Sequence, residues 1–221
     1  MKCGIVTVYN SENCGSYLQG YAMARFLQKN GHEAVFIRQN FGDHSASRKN
    51  YLTKLTKTVL RGKITNAKLM AKRRKLFQQA INQHLQVVKN AEGLDCCLLG
   101  SDVIWDVTGG LFRNHHSFFW GTQFPAKVIS YAASIGFSKK EDLEKVDFIR
   151  SSLENMAAVS VRDETSQRLL QPYCDKEIHL VCDPTYLIDR TDYDAIAKPT
   201  ELSKFIFLYY YGDLSAADRE E

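Results

Sequence analysis

Residues 2–37 decide the fold of this chain, and they read KCGIVTVYNSENCGSYLQGYAMARFLQKNGHEAVFI. Residues 2–8 form an apolar, β-branched run, which predicts a buried strand. Apolar residues then recur at helical spacing through residues 17–27, until Asn30-Gly31 ends the helix. Residues 34–37 predict a second strand. A strand, a helix and a strand in such a short span make a βαβ unit, which implies a parallel sheet.

The same alternation returns in the second half of the chain. Apolar runs predict strands at residues 96–99, 128–132, 158–161 and 178–181, with helical or turn-rich segments between them. Polar residues collect just after the carboxyl ends of these strands, the edge at which open α/β sheets bind ligands. The predicted fold class is therefore α/β, with a doubly wound and mainly parallel sheet.

Residues 48–90 interrupt this alternation with two amphipathic, strongly basic helices. Twelve of the chain's 29 Lys and Arg residues lie between His44 and Ala91, where there is no acidic residue. A solvated helix surface is the plain interpretation. The functional one is attraction to an anionic polymer, a membrane surface or a lipid-diphosphate carrier. Nucleic acid is not expected as a partner, because the segment holds no recognisable binding module.

The composition is that of a folded protein from a reducing compartment. A hydrophobic content of 44% with 24% charged residues argues against disorder, and four prolines and 13 glycines argue against collagen-like repeats. No apolar run approaches the ~20 residues of a membrane span, and a secretory signal is not evident. The six cysteines lack the C-x-x-C spacing of a zinc site, so no metal is expected. We expect a cytoplasmic protein.

The order of the elements predicts one domain and the start of another. Residues 1–188 should form a Rossmann-like α/β domain that carries the basic helical insertion at 48–90. Residues 189–203 are expected to be a linker. Residues 205–211 are strongly apolar and aromatic, which indicates a strand followed by a polar tail. We therefore expect residues 204–221 to begin a second domain that has been cut short.

Two motifs after predicted strands carry candidate chemistry. Asn13-x-Gly15-Ser16 lies where a strand meets a helix, whose unpaired N–H groups and dipole favour an anion, and glycine permits close approach. A plain capped turn is the alternative, and Ser16 with Gln19 has the spacing of a capping box. Gly100-Ser101-Asp102-x-x-Trp105 offers a carboxylate for hydroxyl groups and a flat indole face, which suits a sugar or a phosphorylated ligand. Its alternative is an Asx turn with a core tryptophan.

Three further motifs follow the later strands. Residues 130–134 (SYAAS) end in the hydroxyl of Ser134, among small residues that permit close backbone approach. Residues 160–163 (SVRD) place the forked guanidinium of Arg162 where it can bind a carboxylate or phosphate. A salt bridge to Asp163 or Glu164 is the competing interpretation, and Asp163 can also cap the next helix. Residues 183–185 (DPT) hold a carboxylate in a rigid turn, for which an Asx turn is the structural explanation.

Taken together and in this order, the five motifs resemble the polysaccharide pyruvyl transferase family. The likeness extends from residue 3 to about residue 211. Members of the family are similar in fold to two-domain GT-B glycosyltransferases, with the active site in the cleft between the halves. They transfer pyruvate from phosphoenolpyruvate to a sugar as a ketal and release phosphate. The resemblance implies that this chain corresponds to the amino-terminal half of such an enzyme.

The resemblance also implies roles for individual residues. Arg162 would be the donor-binding catalytic cation, and Asp102 would orient or deprotonate an acceptor hydroxyl. The other residues expected to bind substrate are Asn13, Gly15, Ser16, Gly100, Ser101, Trp105, Ser134 and Asp183. No cofactor is required if arginines neutralise the donor. The partners would be phosphoenolpyruvate and a sugar or lipid-linked oligosaccharide of a cell-surface polysaccharide, with residues 48–90 touching the inner face of the membrane.

The sequence departs from the family pattern in two small ways and one large one. Cys14 stands where a tyrosine is common, and Asp163 stands where a glutamate is frequent. Family chains usually continue into a second half with further basic residues, where we expect the proton donor, so this chain alone should be inactive. Two alternatives stay open: a GT-B sugar-nucleotide glycosyltransferase, and a non-catalytic product such as a truncated remnant or a glycan-binding module.

Overall fold

The structure is a computed structural model that describes residues 1–39, 48–198 and 201–206. The chain divides into two compact units, Met1–Asp189 and Arg190–Glu221. The second domain predicted from residue 204 onwards lies almost wholly outside the described residues, so it stays a prediction. The described part of the second unit contains one short helix, Arg190–Asp194, whose terminal residues form an ion pair of 3.6 Å.

The first half of the larger unit contains the βαβ unit, a pair of helices and a short strand. Its elements are β1 (Lys2–Val6), α1 (Cys14–Lys29), β2 (Glu33–Ile37), α2 (Arg48–Leu60), α3 (Ile64–His84) and β3 (Val87–Val88). The first three lie where the apolar periodicity predicts them, and α2 and α3 are the two helices expected in the basic segment. The sequence analysis misses β3, because two residues are too few for a strand periodicity to be recognised.

The second half continues with four strands and short helices. Its elements are β4 (Cys96–Leu99), α4 (Gly110–Asn114), α5 (His116–Phe119), β5 (Lys127–Ser130), α6 (Lys140–Leu143), α7 (Phe148–Asn155), β6 (Val159–Val161), α8 (Glu164–Leu170) and β7 (Ile178–Leu180). Two 3₁₀ turns, Gln171–Tyr173 and Pro184–Tyr186, complete it. All four strands overlap the predicted runs.

The described strands are parallel and follow the doubly wound order. Strands β3, β2, β1, β4 and β5 are neighbours in that sequence, and β1 at the centre places Cys3 opposite Ala34 and Cys96. β6 pairs with β7, and the bridges Ile129–Ala158 and Ala133–Val161 join this pair to the β5 side. Strand order reverses between β1 and β4, the point at which such sheets form a ligand crevice. The predicted fold class is confirmed.

A cluster of buried aromatic rings supports the loop after β4. Trp105 and Trp120 are 0% and 1% exposed, and their rings stack with centroids 4.6 Å apart. The indole Nε1 of Trp105 donates to the carbonyl oxygen of Phe119 at 3.0 Å, which satisfies its polar group. Because large aromatic side chains are packed beneath it, this loop leaves the sheet in a fixed direction.

Candidate active site

Polar side chains from four loops meet in one cleft at the carboxyl edge of the sheet. The cleft has a volume of about 320 Å³, within the ~300–1,000 Å³ typical of ligand sites. Its lining residues come from the loops after β1, β4, β6 and β7 and from the first turns of α1. They are Asn13, Gly15, Ser16, Gln19, Asp102, Arg162, Asp183 and Thr185.

Asn13 closes the amino end of α1 instead of leaving it open to an anion. Its Oδ1 accepts hydrogen bonds from the backbone N–H groups of Gly15 at 2.8 Å and Ser16 at 3.3 Å. The expectation that these N–H groups are unpaired is therefore wrong, and so is the capping box at Ser16. Asn13 is the N-cap because its backbone is extended, whereas Ser16 already lies in the first helical turn.

The hydroxyl of Ser16 reaches across the sheet edge to the loop after β4. Ser16 Oγ donates to Asp102 Oδ2 at 2.6 Å, and Asp102 Oδ1 accepts the N–H of Val103 at 2.8 Å. Asp102 has a φ of +81°, a left-handed conformation that aspartate tolerates better than most residues. These contacts fix the carboxylate at the junction of the β1 and β4 loops.

Gln19 ties three elements together beneath the cleft. Its Nε2 donates to the hydroxyl oxygen of Thr7 at 2.9 Å and to the carbonyl oxygen of Ser16 at 2.7 Å. Its Oε1 accepts the backbone N–H of Ser101 at 3.1 Å, and Thr7 in turn donates to the carbonyl oxygen of Ser101 at 2.9 Å. From the sequence, only a capping role is expected for Gln19, yet this side chain determines how the Ser101 loop is held against α1.

Gly100 makes the close approach between the β4 and β5 loops possible. Its φ is +111°, and a Cβ at this position would lie 2.5 Å from the carbonyl oxygen of Tyr131. A side chain is excluded both by the backbone conformation and by this contact. The role of Gly100 is thus to shape the loop that presents Ser101 and Asp102.

Arg162 and Asp183 form the charged end of the cleft, and the buried hydroxyl of Ser101 contacts both of them. Arg162 Nη1 donates to Asp183 Oδ2 and to Ser101 Oγ, each at 3.2 Å, and Ser101 Oγ lies 3.0 Å from the same carboxylate oxygen. The salt bridge from Arg162 to Asp163 or Glu164 considered from the sequence is replaced by this pair, because Asp163 caps α8 by accepting from Ser166 N at 2.7 Å.

Asp183 is held in its anionic form. Burial alone would raise its pKa, but hydrogen bonds from the N–H and hydroxyl of Thr185, from Ser101 and from Arg162 outweigh it, so the pKa of Asp183 lies below its ordinary value. The side chains of Arg162 and Asp183 are 29% and 24% exposed, which leaves one side of the ion pair facing the cleft.

Arg162 keeps donor capacity that the described residues do not use. A guanidinium group has five N–H donors. Within residues 1–39, 48–198 and 201–206, the hydrogen bonds of this side chain all leave from Nη1. Its Nε and Nη2 groups are therefore available to an acceptor that enters the cleft, and two of them in one plane match a carboxylate or a phosphate.

A second lobe of about 430 Å³ continues the cleft on the far side of Asp102. The two lobes share Asn13, Ser16 and Asp102. The second lobe is otherwise lined by Val8, Ser11, Glu12, Val103, Leu111 and Phe112. Phe112 packs edge-on against Phe119, with ring centroids 4.9 Å apart. The site thus has a charged end and a more apolar end, with a carboxylate between them.

Four residues expected to bind substrate do not line the cleft: Gly100, Ser101, Trp105 and Ser134. Gly100 is buried, and Ser101 is 0% exposed beneath the ion pair of Arg162 and Asp183. Trp105 is fully buried in the aromatic cluster, so its ring cannot stack on a sugar, and the prediction for this residue is wrong. Ser134 is 5% exposed, and its hydroxyl accepts the N–H of Gly136 at 3.1 Å. Phe112 is the aromatic residue that faces the second lobe. Sequence analysis missed it because nothing in the pattern distinguishes it from the other aromatic residues of that loop.

No group of three or more His, Cys, Asp or Glu side chains in the described part of the chain is arranged to hold a metal ion. In the same residues, no helix combines the length and the apolar character needed to cross a membrane.

Comparison with protein families decides the identity of the chain. A family model described as polysaccharide pyruvyl transferase matches residues 13–220, nearly the whole sequence. The chain belongs to the polysaccharide pyruvyl transferase family. Every residue that lines the charged end of the cleft lies within the matched segment. No curated protein and no solved structure matches the chain significantly.

Membership in the polysaccharide pyruvyl transferase family indicates a transferase that acts on a polysaccharide acceptor. It also confirms the resemblance drawn from the five ordered motifs. The structure brings the motifs containing Asn13, Asp102, Arg162 and Asp183 to one cleft.

Proposed function

We propose that this chain binds phosphoenolpyruvate at the charged end of the cleft and supports transfer of its pyruvyl group to a sugar. The observation that carries the proposal is the guanidinium of Arg162, which lines the cleft and is held through Nη1, whereas its Nε and Nη2 have no hydrogen-bond partner among the described residues. A planar, partly buried donor pair of this kind binds carboxylate and phosphate groups in preference to neutral ligands. Both groups are present in phosphoenolpyruvate.

The chemistry of ketal formation defines what the site has to do. A proton is added to the methylene carbon of phosphoenolpyruvate, and one sugar hydroxyl attacks the cationic carbon that results. A second hydroxyl of the same sugar then displaces phosphate, so two C–O bonds form and the bond to the phosphate oxygen breaks. The two hydroxyl protons balance the one added to carbon and the one carried away by phosphate. Arg162 would stabilise the anionic donor throughout.

Asp102 would serve the acceptor. Its carboxylate belongs to both lobes of the cleft and already accepts the hydroxyl of Ser16 at 2.6 Å. A carboxylate accepts hydroxyl hydrogens and can withdraw a proton from an attacking hydroxyl. We assign the second lobe to the acceptor, a sugar or a lipid-linked oligosaccharide, because Phe112 offers an apolar ring to the less polar side of a sugar.

Titration of phosphoenolpyruvate into the full chain tests the donor site directly. We expect Arg162→Ala to weaken binding roughly 10- to 100-fold, since charged hydrogen bonds contribute about 1.5–3 kcal/mol. Arg168→Ala is the matched control, because this exposed arginine lies on α8 outside the cleft. Its affinity should equal that of the wild type.

Two results would contradict the proposal. Equal affinity of the wild type and the Arg162→Ala variant for phosphoenolpyruvate would remove Arg162 from the donor site. Binding of a uridine diphosphate sugar that depends on Arg162, with no binding of phosphoenolpyruvate, would instead favour a sugar-nucleotide glycosyltransferase. Calorimetry with both ligands on the same three proteins separates these outcomes.

A further inference from the structure

The turn between α2 and α3 exposes apolar side chains that the proposed reaction does not use. Val59, Leu60 and Ile64 are 46%, 80% and 57% exposed. Further leucines are exposed at a spacing of two helical turns, Leu52 before Val59 on α2 and the pair Leu69 and Leu76 on α3. Single exposed apolar residues are ordinary, but a group gathered at one turn marks an interaction surface.

Cations surround this turn. Lys57, Arg61, Lys63 and Lys68 are all exposed, and they lie within the stretch from His44 to Ala91 that contains no acidic residue. None of these four side chains has a salt-bridge partner among the described residues. Among the described residues, therefore, no acidic side chain pairs with the cations that flank the apolar turn.

The rest of the helix pair is attached to the domain, so the turn extends away from it. Arg74 lies over the ring of Tyr51 at 4.3 Å and pairs with Glu12 at 3.5 Å, which joins the two helices to the β1 loop. Further along α3, Phe77 packs on Tyr17 of α1 with ring centroids 6.4 Å apart. Arg74 follows Ile64, the first residue of α3, by ten residues, so the turn lies roughly 15 Å beyond this anchor at the helical rise of ~1.5 Å per residue.

We propose that this turn, residues 57–68, docks on an anionic lipid bilayer. Val59, Leu60 and Ile64 would enter the boundary between headgroups and acyl chains, while Arg61 and Lys63 bind lipid phosphates. Nucleic acid and soluble polyanions would bind the cations, but they would not bury the exposed aliphatic side chains. The combination of both features at one projecting turn favours a lipid surface.

Docking at this turn would also orient the cleft toward the membrane. Glu12, to which Arg74 is anchored, lines the second lobe of the cleft. If a bilayer binds the far end of the helix pair, a lipid-linked acceptor in that bilayer would therefore lie within reach of the cleft. This last step rests on the proposed function, whereas the docking itself does not.

Sedimentation of the full chain with vesicles tests the docking. We expect binding to vesicles that contain phosphatidylglycerol, weak binding to pure phosphatidylcholine, and loss of binding as salt is raised. Replacing Val59, Leu60 and Ile64 together by serine should weaken binding at least tenfold. Arg61→Gln with Lys63→Gln should weaken it roughly 10- to 30-fold, at about 1 kcal/mol for each cation.

Matched controls come from exposed residues elsewhere in the larger unit. Phe137→Ser removes a side chain that is 87% exposed, and Lys127→Gln with Arg168→Gln removes two exposed cations. Neither control should change vesicle binding. Circular dichroism of every variant checks that the helices remain formed.

Three results would overturn the proposal. The first is equal binding to neutral and anionic vesicles, and the second is a serine variant that binds like the wild type. The third is a dimer that the serine substitutions abolish, without any vesicle binding, which would assign the surface to a second copy of the chain. Titration of the same variants with phosphoenolpyruvate separates this test from the test of the donor site. Their affinity for phosphoenolpyruvate should equal that of the wild type.

Discussion

Arg162 and Asp183 follow the neighbouring parallel strands β6 and β7, and their side chains meet 3.2 Å apart beside the hydroxyl of Ser101. This ion pair links the ends of β6 and β7 to the loop after β4. Asp183 does more than neutralise the arginine, because it accepts a hydrogen bond from Nη1 and so helps to fix the orientation of a guanidinium that lines the cleft. The proposed donor site would thereby be organised before any ligand binds.

Asp183→Asn should reduce both stability and donor affinity. The substitution keeps the shape of the side chain but leaves the partly buried guanidinium without its counter-charge. We expect the free energy of unfolding at neutral pH to fall by about 1–3 kcal/mol, and phosphoenolpyruvate to bind more weakly because the guanidinium is no longer held in one orientation. Urea denaturation and calorimetry measure the two effects.

The pH dependence of the Asp183 effect has a definite sign. The pKa of Asp183 lies below its ordinary value of 3.8, so its interactions stabilise the folded state above that value and are lost as the pH falls through the lower, folded-state pKa. The stability difference between wild type and Asp183→Asn should be constant between about pH 5 and 7 and should shrink below about pH 4. Asp175→Asn, at an aspartate whose side chain is 93% exposed, is the control and should change little. A difference that persists unchanged at about pH 3 would contradict this assignment.

Gln19→Ala should loosen the loop after β4 without disturbing α1. The substitution leaves the buried N–H of Ser101 without its acceptor and removes the donor to the hydroxyl oxygen of Thr7, at a cost of about 1–3 kcal/mol in the free energy of unfolding. Gln28→Ala, on the exposed side of the same helix, should cost little, since alanine favours helix. Denaturation of both variants gives the comparison. An equal loss of unfolding free energy in the Gln19→Ala and Gln28→Ala variants would show that Gln19 acts only through helix propensity.

The sequence predicts the sheet and most of the cleft because both follow from local patterns. Apolar runs give the strands, and the parallel order brings the residues after them, Asn13, Asp102, Arg162 and Asp183, to one edge. Contacts that depend on tertiary packing cannot be predicted from such local patterns. Ser16 and Asn13 are both good N-cap residues, and only the extended backbone at Asn13 and the contact of Ser16 with Asp102, 86 residues away, decide between them.

The burial of Trp105 and the presence of the short strand β3 cannot be predicted from the sequence, for a different reason. A tryptophan three residues after Asp102 can point into a cleft or into the core, and the depth of packing under the loop decides which. Phe112 faces the cleft because its helix α4 lies over the buried Phe119. Neither fact has a local signature in the sequence. The two valines of β3 favour a strand, but a run of two residues is too short to predict one, and β3 forms because Phe36 and Ile37 offer it a partner.

The tryptophan fluorescence of the native protein should be insensitive to ligands and to aqueous quenchers. The chain has two tryptophans, Trp105 and Trp120, which are 0% and 1% exposed and stacked on each other. Iodide should therefore quench the native protein weakly and the urea-unfolded protein strongly, and phosphoenolpyruvate should leave the emission spectrum unchanged. Strong iodide quenching of the native protein would place an indole at the surface and reopen Trp105 as a ligand contact.

Gly100→Ala should be the most damaging single-methyl substitution around the cleft. At φ +111° the new Cβ would lie 2.5 Å from the carbonyl oxygen of Tyr131. Backbone hydrogen bonds hold both chain segments in place. Gly100 N donates to Val6 O at 2.9 Å, and Tyr131 N donates to Leu99 O at 2.9 Å. Gly93→Ala is the matched control, because its φ is +67° and nothing lies within 4 Å of the added carbon. The control should cost about 1 kcal/mol from backbone conformation alone. Gly100→Ala should cost clearly more, since the loop must also move, and that movement should weaken phosphoenolpyruvate binding by displacing Ser101 from Arg162. Equal destabilisation of the two variants in urea would mean that the β4 and β5 loops are not packed as closely as the contact with Tyr131 requires.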